Sequence, residues 1–498
     1  MAKANITEYD TTPGNNTVIN DISIAEGTAP SNINNAIREQ MAHIADAVAG
    51  TIAWAFSSDA GAAAGPDLVV QRDSASPAAD DAIGRVLFKG DDSAGNADNY
   101  AAMSAHIVSP TTTAEDGRAT LDALTAGTLK AIYGVEDGVS LGPRRINENG
   151  AMQLAQRGTS FATLSASQYT LDRWEWIDTG TTAGAVTITQ DTDVPTVAEA
   201  GAKFMNSLKI VVTTAEDIVG ADAALYLSHK MEAQNCTQFG HGAAGAKAGR
   251  LSFWFKSTKT GIFTVNVDRN DATEKYSTEF TVGTTNTWEF FEVTVPGDTD
   301  GTAVADDIGI GLALQFMMAV GATGKTSTAD AWNASGATEL ATSNQVNLLD
   351  NAANNVLITG VQFEMGHVTT PFEHWSIAME RARCDRYYQR YNLIDSSTHV
   401  CMVGATGTDD AAGAYHLRAP MRTTATFGVS GVTDFVVRNS SGTEDATDNV
   451  TGDKLESAID GLFTFAVSTN SAGLTDEVVV PFKSDGTANR WFELISEL

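Results

Sequence analysis

The stretch Leu357–Tyr391, LITGVQFEMGHVTTPFEHWSIAMERARCDRYYQRY, carries the fold. Its first part alternates. Leu357, Val361, Phe363 and Met365 share one parity, which predicts a half-buried strand with these four facing a core. Pro371 breaks the ladder, and Phe372 re-anchors the chain beyond it. Ser376 offers a hydroxyl cap to a predicted helix with Ile377, Cys384, Tyr388 and Tyr391 on one stripe. Arg383, Arg386 and Arg390 fall on its opposite face. A strand is thus joined to a helix through a fixed corner.

Outward from this corner the chain is a succession of strands. Upstream, Val186–Ile188, Ser207–Val212, Leu251–Phe255, Gly261–Val267, Phe280–Val282, Trp288–Val295 and Ile308–Phe316 read as strands of two packed antiparallel sheets. Downstream, the strand patterns are Val400–Val403, Tyr415–Leu417, Phe435–Val437, Leu462–Val467, Val478–Phe482 and Trp491–Leu494, and the polar Arg438–Asp453 is a candidate exposed loop. Ile146–Gly150 (INENG) reads as a linker. Between Leu68 and Gly142, short strands (Val86–Phe88, Tyr100–Val108, Leu121–Leu124, Leu129–Val135) alternate with Gly- and Asp-containing turns. That segment has many alanines and few large apolar residues, so one copy buries too little surface to be stable alone. Ser31–Ala49 has helical spacing, with Ile33, Ile37, Met41, Ile44 and Val48 on one narrow stripe. Such a helix needs a partner, either copies of itself or an adjacent domain.

At 498 residues the chain is long enough for three or four domains. No apolar run approaches the ~20 residues of a membrane span, and the N-terminus MAKANITEYD lacks the basic and apolar regions of a secretion signal. A formal net charge of -31 excludes non-specific nucleic-acid binding, which needs phosphate-neutralising Lys and Arg. It also suits particles in salt, where repulsion between subunits is screened. Cys236, Cys384 and Cys401 are too scattered for a disulfide framework and read as free, mostly buried thiols.

Gly360, Val361, Gln362, Glu364, Gly366, Thr370, Pro371, Phe372 and Glu373, followed by Cys384, Arg386, Tyr387, Tyr388 and Gln389, resemble a line found in phage tail-fibre proteins. There a carbohydrate-binding-like jelly roll ends in GVQxExGxxxTPFExR and a helix ending in CxRYYQ follows. Trp375 departs from that pattern, standing where the family usually has Arg. The opening line of the same jelly roll is matched by Gln156–Phe161 (QRGTSF) and by Tyr169, Thr170, Asp172, Arg173 and Trp174, so the resemblance brackets about 220 residues. SNINNAIREQMAHIADA resembles the head of many such fibres, YHLRAPMRTTATF and FELISEL their C-terminal domain, and NYAAMSAHIVSPTTTAEDGRATLDAL their stalk modules.

The resemblance implies a mainly β chain. Its parts are a tail-attachment segment with a helix (1–60), a β shoulder or stalk (61–150), a jelly-roll sandwich (151–375), a connecting helix (376–393) and a C-terminal β-sandwich tip (394–498). It further implies a homotrimer in the virion, assembled in the host cytoplasm. The N-terminus would meet a tail-tube, adaptor or baseplate protein. The C-terminal domains would meet a host glycan or outer-membrane component.

Few motifs point to chemistry. Ala319–Thr326 (AVGATGKT) fits a permissive phosphate loop, but the sequel STADAWNASGAT is not an amphipathic helix. The histidines show no metal-ligand spacing. The Asp-rich turns Asp268–Asp271 and Asp298–Gly301 offer oxygen ligands that suit calcium, yet neither fits an EF-hand loop. No cofactor, metal or catalytic residue is expected. Aromatic residues are candidates for ligand contact, since sugar rings stack on flat side chains, and the residues of the Arg438–Asp453 loop are equally good ones. Trp254 faces away from Phe253 and Phe255, and Trp174 shares a strand face with Trp176, so Trp254 and Trp174 are the candidate sugar platforms. The expectation is a non-enzymatic receptor-binding tail fibre. The alternatives are a depolymerase tailspike, against which the lack of a long β-helix period counts, a structural head or collar fibre, and a cellular adhesin.

Overall fold

The computed structural model describes residues 17–19, 22–23, 25, 28–48, 70–78, 81–111, 114–125, 128–136, 139–140, 144–336, 338–367, 369–393, 399–438, 444–454, 462–469, 474, 479–484 and 490–498. They form two compact units, Met1–Asp73 and Ser74–Leu498. Among the described residues no helix is long and apolar enough to cross a membrane.

In the first unit a hairpin of β1 (Val18–Ile19) and β2 (Ile22–Ser23) precedes α1 (Pro30–Val48). The helix matches the expected span. Ala36 and His43 are buried, whereas Ile33, Ile37, Met41 and Ile44 are 49%, 50%, 65% and 50% exposed. The side chain of Val48 lies outside the described residues.

The second unit opens with an antiparallel meander of β3 (Ala82–Asp91), β4 (Ala97–Thr111), β5 (Ala114–Thr125), β6 (Thr128–Glu136) and β7 (Val139–Ser140). Register places Val86 opposite Met103 and Met103 opposite Leu121, so the three lie on one face in a row across three strands. Phe88, opposite Ala101, shares that face. All four are open to solvent, at 44%, 56%, 41% and 50% for Val86, Met103, Leu121 and Phe88. The other face is mixed, with Leu87 opposite Ala102 and the Ser104 hydroxyl donating to the Asp122 carboxylate at 2.5 Å. One layer with an open apolar face is an incomplete core, as the composition of the segment suggested.

The jelly roll follows. Its strands are β8 (Ser160–Leu164), β9 (Gln168–Tyr169), β10 (Trp174–Thr179), β11 (Ala185–Asp191), β12 (Ser207–Thr214), β13 (Ala224–Glu232), β14 (Gly249–Ser257), β15 (Gly261–Arg269), β16 (Glu274–Val282), β17 (Glu289–Val295), β18 (Ile310–Val320), β19 (Ala331–Ala334) and β20 (Asn355–Met365). Two short helices, α2 (Val197–Ala200) and α3 (Ala233–Cys236), interrupt them. One sheet runs β19-β16-β15-β18-β13-β10-β9 and the other β17-β14-β20-β12-β11-β8. Their inner faces enclose a core in which Phe253 meets Phe280 and Phe316 edge-on, with centroids 5.1 and 5.0 Å apart.

The closing strand departs from simple alternation. Ser252 pairs with Gln362 and Trp254 with Thr359, so two residues of β20 oppose Phe253, and Gly360 in this bulge has φ +62°. The bulge exchanges the faces. Val356 and Ile358 join the core before it, and Val361 and Phe363 after it. Leu357 is therefore buried on the face opposite the expected one, and Met365 is only partly buried.

The corner after β20 is a hydrogen-bonded knot of the matched residues. Thr370 donates from N and Oγ1 to the Glu364 carboxylate at 3.0 and 2.6 Å. The Glu373 amide donates to Gln362 Oε1 at 2.7 Å, and the Glu373 carboxylate accepts from the Arg144 and Arg145 amides. Residues 145–150 are not a free linker but are buried throughout. Asn147 accepts from the Phe363 amide and donates to the Val361 carbonyl, both at 2.9 Å, so the polarity of INENG serves strand edges inside the domain.

Ser376 caps α4 (Ile377–Asp385) by accepting from the Met379 amide. The helix ends sooner than the stripe predicted, and Ile377 is exposed. Residues Tyr388–Leu393 form β21 instead, because they pair with β29 (Arg490–Ile495). The strands between these two are β22 (His399–Ala405), β23 (Asp410–His416), β24 (Thr426–Val429), β25 (Phe435–Arg438), β26 (Glu444–Lys454), β27 (Leu462–Thr469) and β28 (Val479–Ser484). The C-terminal β fold closes on itself as a barrel, β22-β23-β27-β26-β25-β28, beside the sheet β21-β29-β24. The stretch expected as a loop, Arg438–Asp453, is largely barrel strand β26, and residues 439–443 lie outside the described residues.

A buried ionic joint ties the jelly roll to α4 and to the sheet of β21 and β29 beside the barrel. Arg173 pairs with Glu497, approaches Glu148 at 3.6 Å and lies over the Tyr387 ring at 3.5 Å. Arg157 pairs with Glu497 at 3.0 Å and covers Tyr388 at 3.6 Å. Arg386 grips Glu232 with two bonds of 2.6 and 3.0 Å, and Gln156 donates to Asp385 at 3.0 Å. The matched motif residues thus act here as structure.

Candidate functional site

The candidate platforms part company on burial. Trp174 is fully buried, and its indole N–H donates to the Asn149 carbonyl at 3.1 Å. It is a core residue and offers no ring face to a ligand, because the second strand sheet covers the face it shares with Trp176. Trp254 points out of β14, opposite Phe253 and Phe255, and is partly exposed.

Trp254 forms one wall of a cleft of about 180 Å³ on the outer face of the β14–β20 sheet. Its cross-strand partner is Phe290, whose ring centroid lies 5.1 Å away and which is 37% exposed. The opposite wall is Phe204, packed edge-on against Phe372 at 5.2 Å. Gly360 lies between the walls. A Cβ there would come within 2.9 Å of the Phe204 ring and 3.1 Å of Trp254, so the bulged glycine also keeps the floor clear. Ser252 and Thr370 add hydroxyls.

The charges near the cleft are already paired. Lys256 meets Asp193 at 2.7 Å, Asp193 also accepts from the Trp288 indole at 3.0 Å, and Arg250 meets Glu292 at 2.7 Å. Glu364 lies beneath, fully buried, and burial pushes its carboxyl above the usual carboxylate range. Two flat aromatic rings, small floor residues and hydroxyls suit stacking on a sugar. Phe204 and Phe290 were not among the residues the sequence pointed to, and Phe372 was read there as an anchor after the Pro371 break and not as a ligand contact. The signal available was Gly360 inside an otherwise apolar strand.

The other motifs resolve as structure. After β18 the phosphate-loop-like segment makes one 3-10 turn, Ala322–Gly324, and Lys325 donates to the Gln345 carbonyl at 2.8 Å. The next element among the described residues is strand β19, not a helix that could cradle a phosphate. Glu274, Asp298 and Asp300 come together, but the Arg269 guanidinium pairs with both aspartates and supplies the positive charge. Cys236 and Cys384 are buried free thiols, and Cys401 is partly buried.

His229 is buried within the ionic joint, and its Nε2 sits 2.9 Å from the Glu148 carbonyl, to which the neutral ring donates. Burial, reinforced by Arg173, pushes it down to about 3. The unfolded chain takes up this proton near pH 6.5 while the folded chain does not. The stability contributed is therefore full above about pH 6.5 and falls as the pH drops toward 3. Asp172, pushed by burial up to about 6, acts in the opposite sense below that pH and offsets part of the loss. His229→Gln will make the urea midpoint change less between about pH 7 and 5 than in the parent protein. Equal changes in the two proteins would remove His229 from this account.

The fold defines a mainly β protein with a jelly-roll sandwich at its centre. No protein-family model and no curated protein matches the chain. Solved structures similar to parts of it include the enzymatically active domain of bacteriophage CBA120 tailspike protein 4, at 15% identity and TM-score 0.23, over 39% of this chain and 19% of that one. The match therefore spans about a fifth of that solved domain, at 19%. The family 11 carbohydrate-binding module of Clostridium thermocellum, solved with a β-1,3-1,4-mixed-linked tetrasaccharide, matches at 10% identity and TM-score 0.21, over 43% and 96% of the two chains. A CBM4 structure matches at 14% and 0.22, over 44% and 99%. At these scores the likeness extends to neither activity nor ligand.

Proposed function

We propose that this chain is the subunit of a homotrimeric phage tail fibre that attaches to the tail through its N-terminal segment and binds host surface glycan. The observation that carries this reading is the open apolar row Val86–Met103–Leu121 on the single-layer meander, a core that further copies of the chain complete. The exposed stripe of α1 supports self-association in the same way. The Trp254 cleft supports glycan contact, weak per copy and raised by avidity when several copies engage one surface. Its lining contains no carboxylate pair of the kind glycoside cleavage uses, which favours binding over hydrolysis.

Purified protein is expected to block phage adsorption to host cells, and to release no new reducing ends from host glycan. Trp254→Ala is expected to weaken glycan binding about tenfold or more, measured by calorimetry, with the fold intact because the ring lies outside the core. Unchanged affinity in that variant would move the glycan site elsewhere.

A further inference from the structure

A second groove, of about 290 Å³, lies where α4 and β21 meet the barrel. Arg381, Arg390, Arg418, Tyr391, Tyr415 and Asn392 line it, and the lining holds no carboxylate. In a chain of net charge -31 this concentration of guanidinium groups runs against the rest of the surface. The acid behind it, Asp385, is buried and committed. It takes Arg418 at 3.0 and 3.2 Å and Gln156 at 3.0 Å. Glu493, paired across the strands from Arg390, has its carboxylate bonded to the Tyr388 hydroxyl. Arg381, with 45% of its side chain exposed, has only its Nε near Asp385, at 3.7 Å. Its two terminal nitrogens face no partner among the described residues. Tyr391 is held between Arg418, over its ring at 4.4 Å, and Phe492, stacked on it at 4.7 Å, so the partly exposed Tyr415, edge-on to Tyr391 at 5.0 Å, is the tyrosine left to meet a ligand. A planar donor fork beside a tyrosine ring matches an anionic group carried on a sugar, the fork taking the anion and Tyr415 the sugar.

We infer that this groove is a second binding site, distinct from the Trp254 cleft, for an acidic saccharide whose carboxylate or phosphate is held by Arg381. That the anion is carried on a sugar rests on the glycan reading above; the anion site itself does not.

The test uses the full chain with three probes: a glucuronate-containing oligosaccharide, a sugar phosphate and a neutral β-glucan oligosaccharide. Binding is measured by calorimetry at low and high salt. The site predicts that at least one acidic probe binds, more weakly in high salt. It predicts that Arg381→Ala lowers that affinity about tenfold, and that Trp254→Ala leaves it unchanged. Glucuronate binding alone assigns a carboxylate site, and sugar-phosphate binding alone a phosphate site. Failure of both acidic probes, equal affinity in Arg381→Ala, or loss in Trp254→Ala overturns the inference. The neutral probe with Trp254→Ala reports on the glycan reading separately. Arg381 is a surface residue of α4, so the circular-dichroism melt of its variant should match the parent, and a changed melt with unchanged affinity also overturns the assignment.

Discussion

Replacing Arg173 by alanine will lower the stability of the jelly roll and its joint with the sheet beside the barrel by about 3–5 kcal/mol, the range for breaking a buried ion pair. Arg173 is 1% exposed and serves both Glu497 and Glu148 while covering the Tyr387 ring. Burial works against its charge, and Glu497 and Glu148 more than restore it, so the guanidinium stays ionised throughout the accessible pH range. The variant leaves Glu497 with Arg157 and Glu148 with Arg383, each still buried but short of positive charge. Arg173→Lys keeps the charge and loses the fork and the ring stacking, so it should fall between parent and alanine. Urea unfolding followed by tryptophan fluorescence reads the effect, because Trp174 packs against His229 at 5.0 Å inside this joint. A loss below about 1 kcal/mol in the alanine variant would show the joint to be surface-like in its energetics.

The second large effect is on assembly. On the trimeric reading, Met103→Glu combined with Leu121→Glu places two carboxylates per chain in the centre of the shared core. An unpaired charge there costs several kcal/mol in each copy, enough to move the equilibrium from trimer to monomer at micromolar concentration. Light scattering should show the mass fall by about threefold, to that of one chain. Ile218→Glu is the control, since Ile218 stands alone in a loop at 85% exposure and should leave the mass unchanged. A parent protein that is already monomeric, or a double variant that remains assembled, removes the meander from the interface.

The sequence alone determined what depends on near neighbours. Alternation along Leu251–Phe255 put Trp254 on the face opposite Phe253 and Phe255, because a strand has a period of two wherever it lies. The Ser376 cap and the α1 stripe were legible for the same reason, since caps and helical faces are set within one or two turns.

Only the tertiary structure decided the features whose partners are remote. The bulge at Gly360 reversed the parity of Leu357 because Phe253, more than a hundred residues earlier, faces two residues at that point. Tyr388–Leu393 became strand because β29 lies beside it, overriding a helical stripe that was equally plausible locally. Trp174 and Trp254 look alike as outward or inward candidates in isolation. The second sheet closes over Trp174, and nothing packs over Trp254 except the aromatic walls of its own cleft. Alternation specifies two faces; which of them meets water is set by what another part of the chain brings to it.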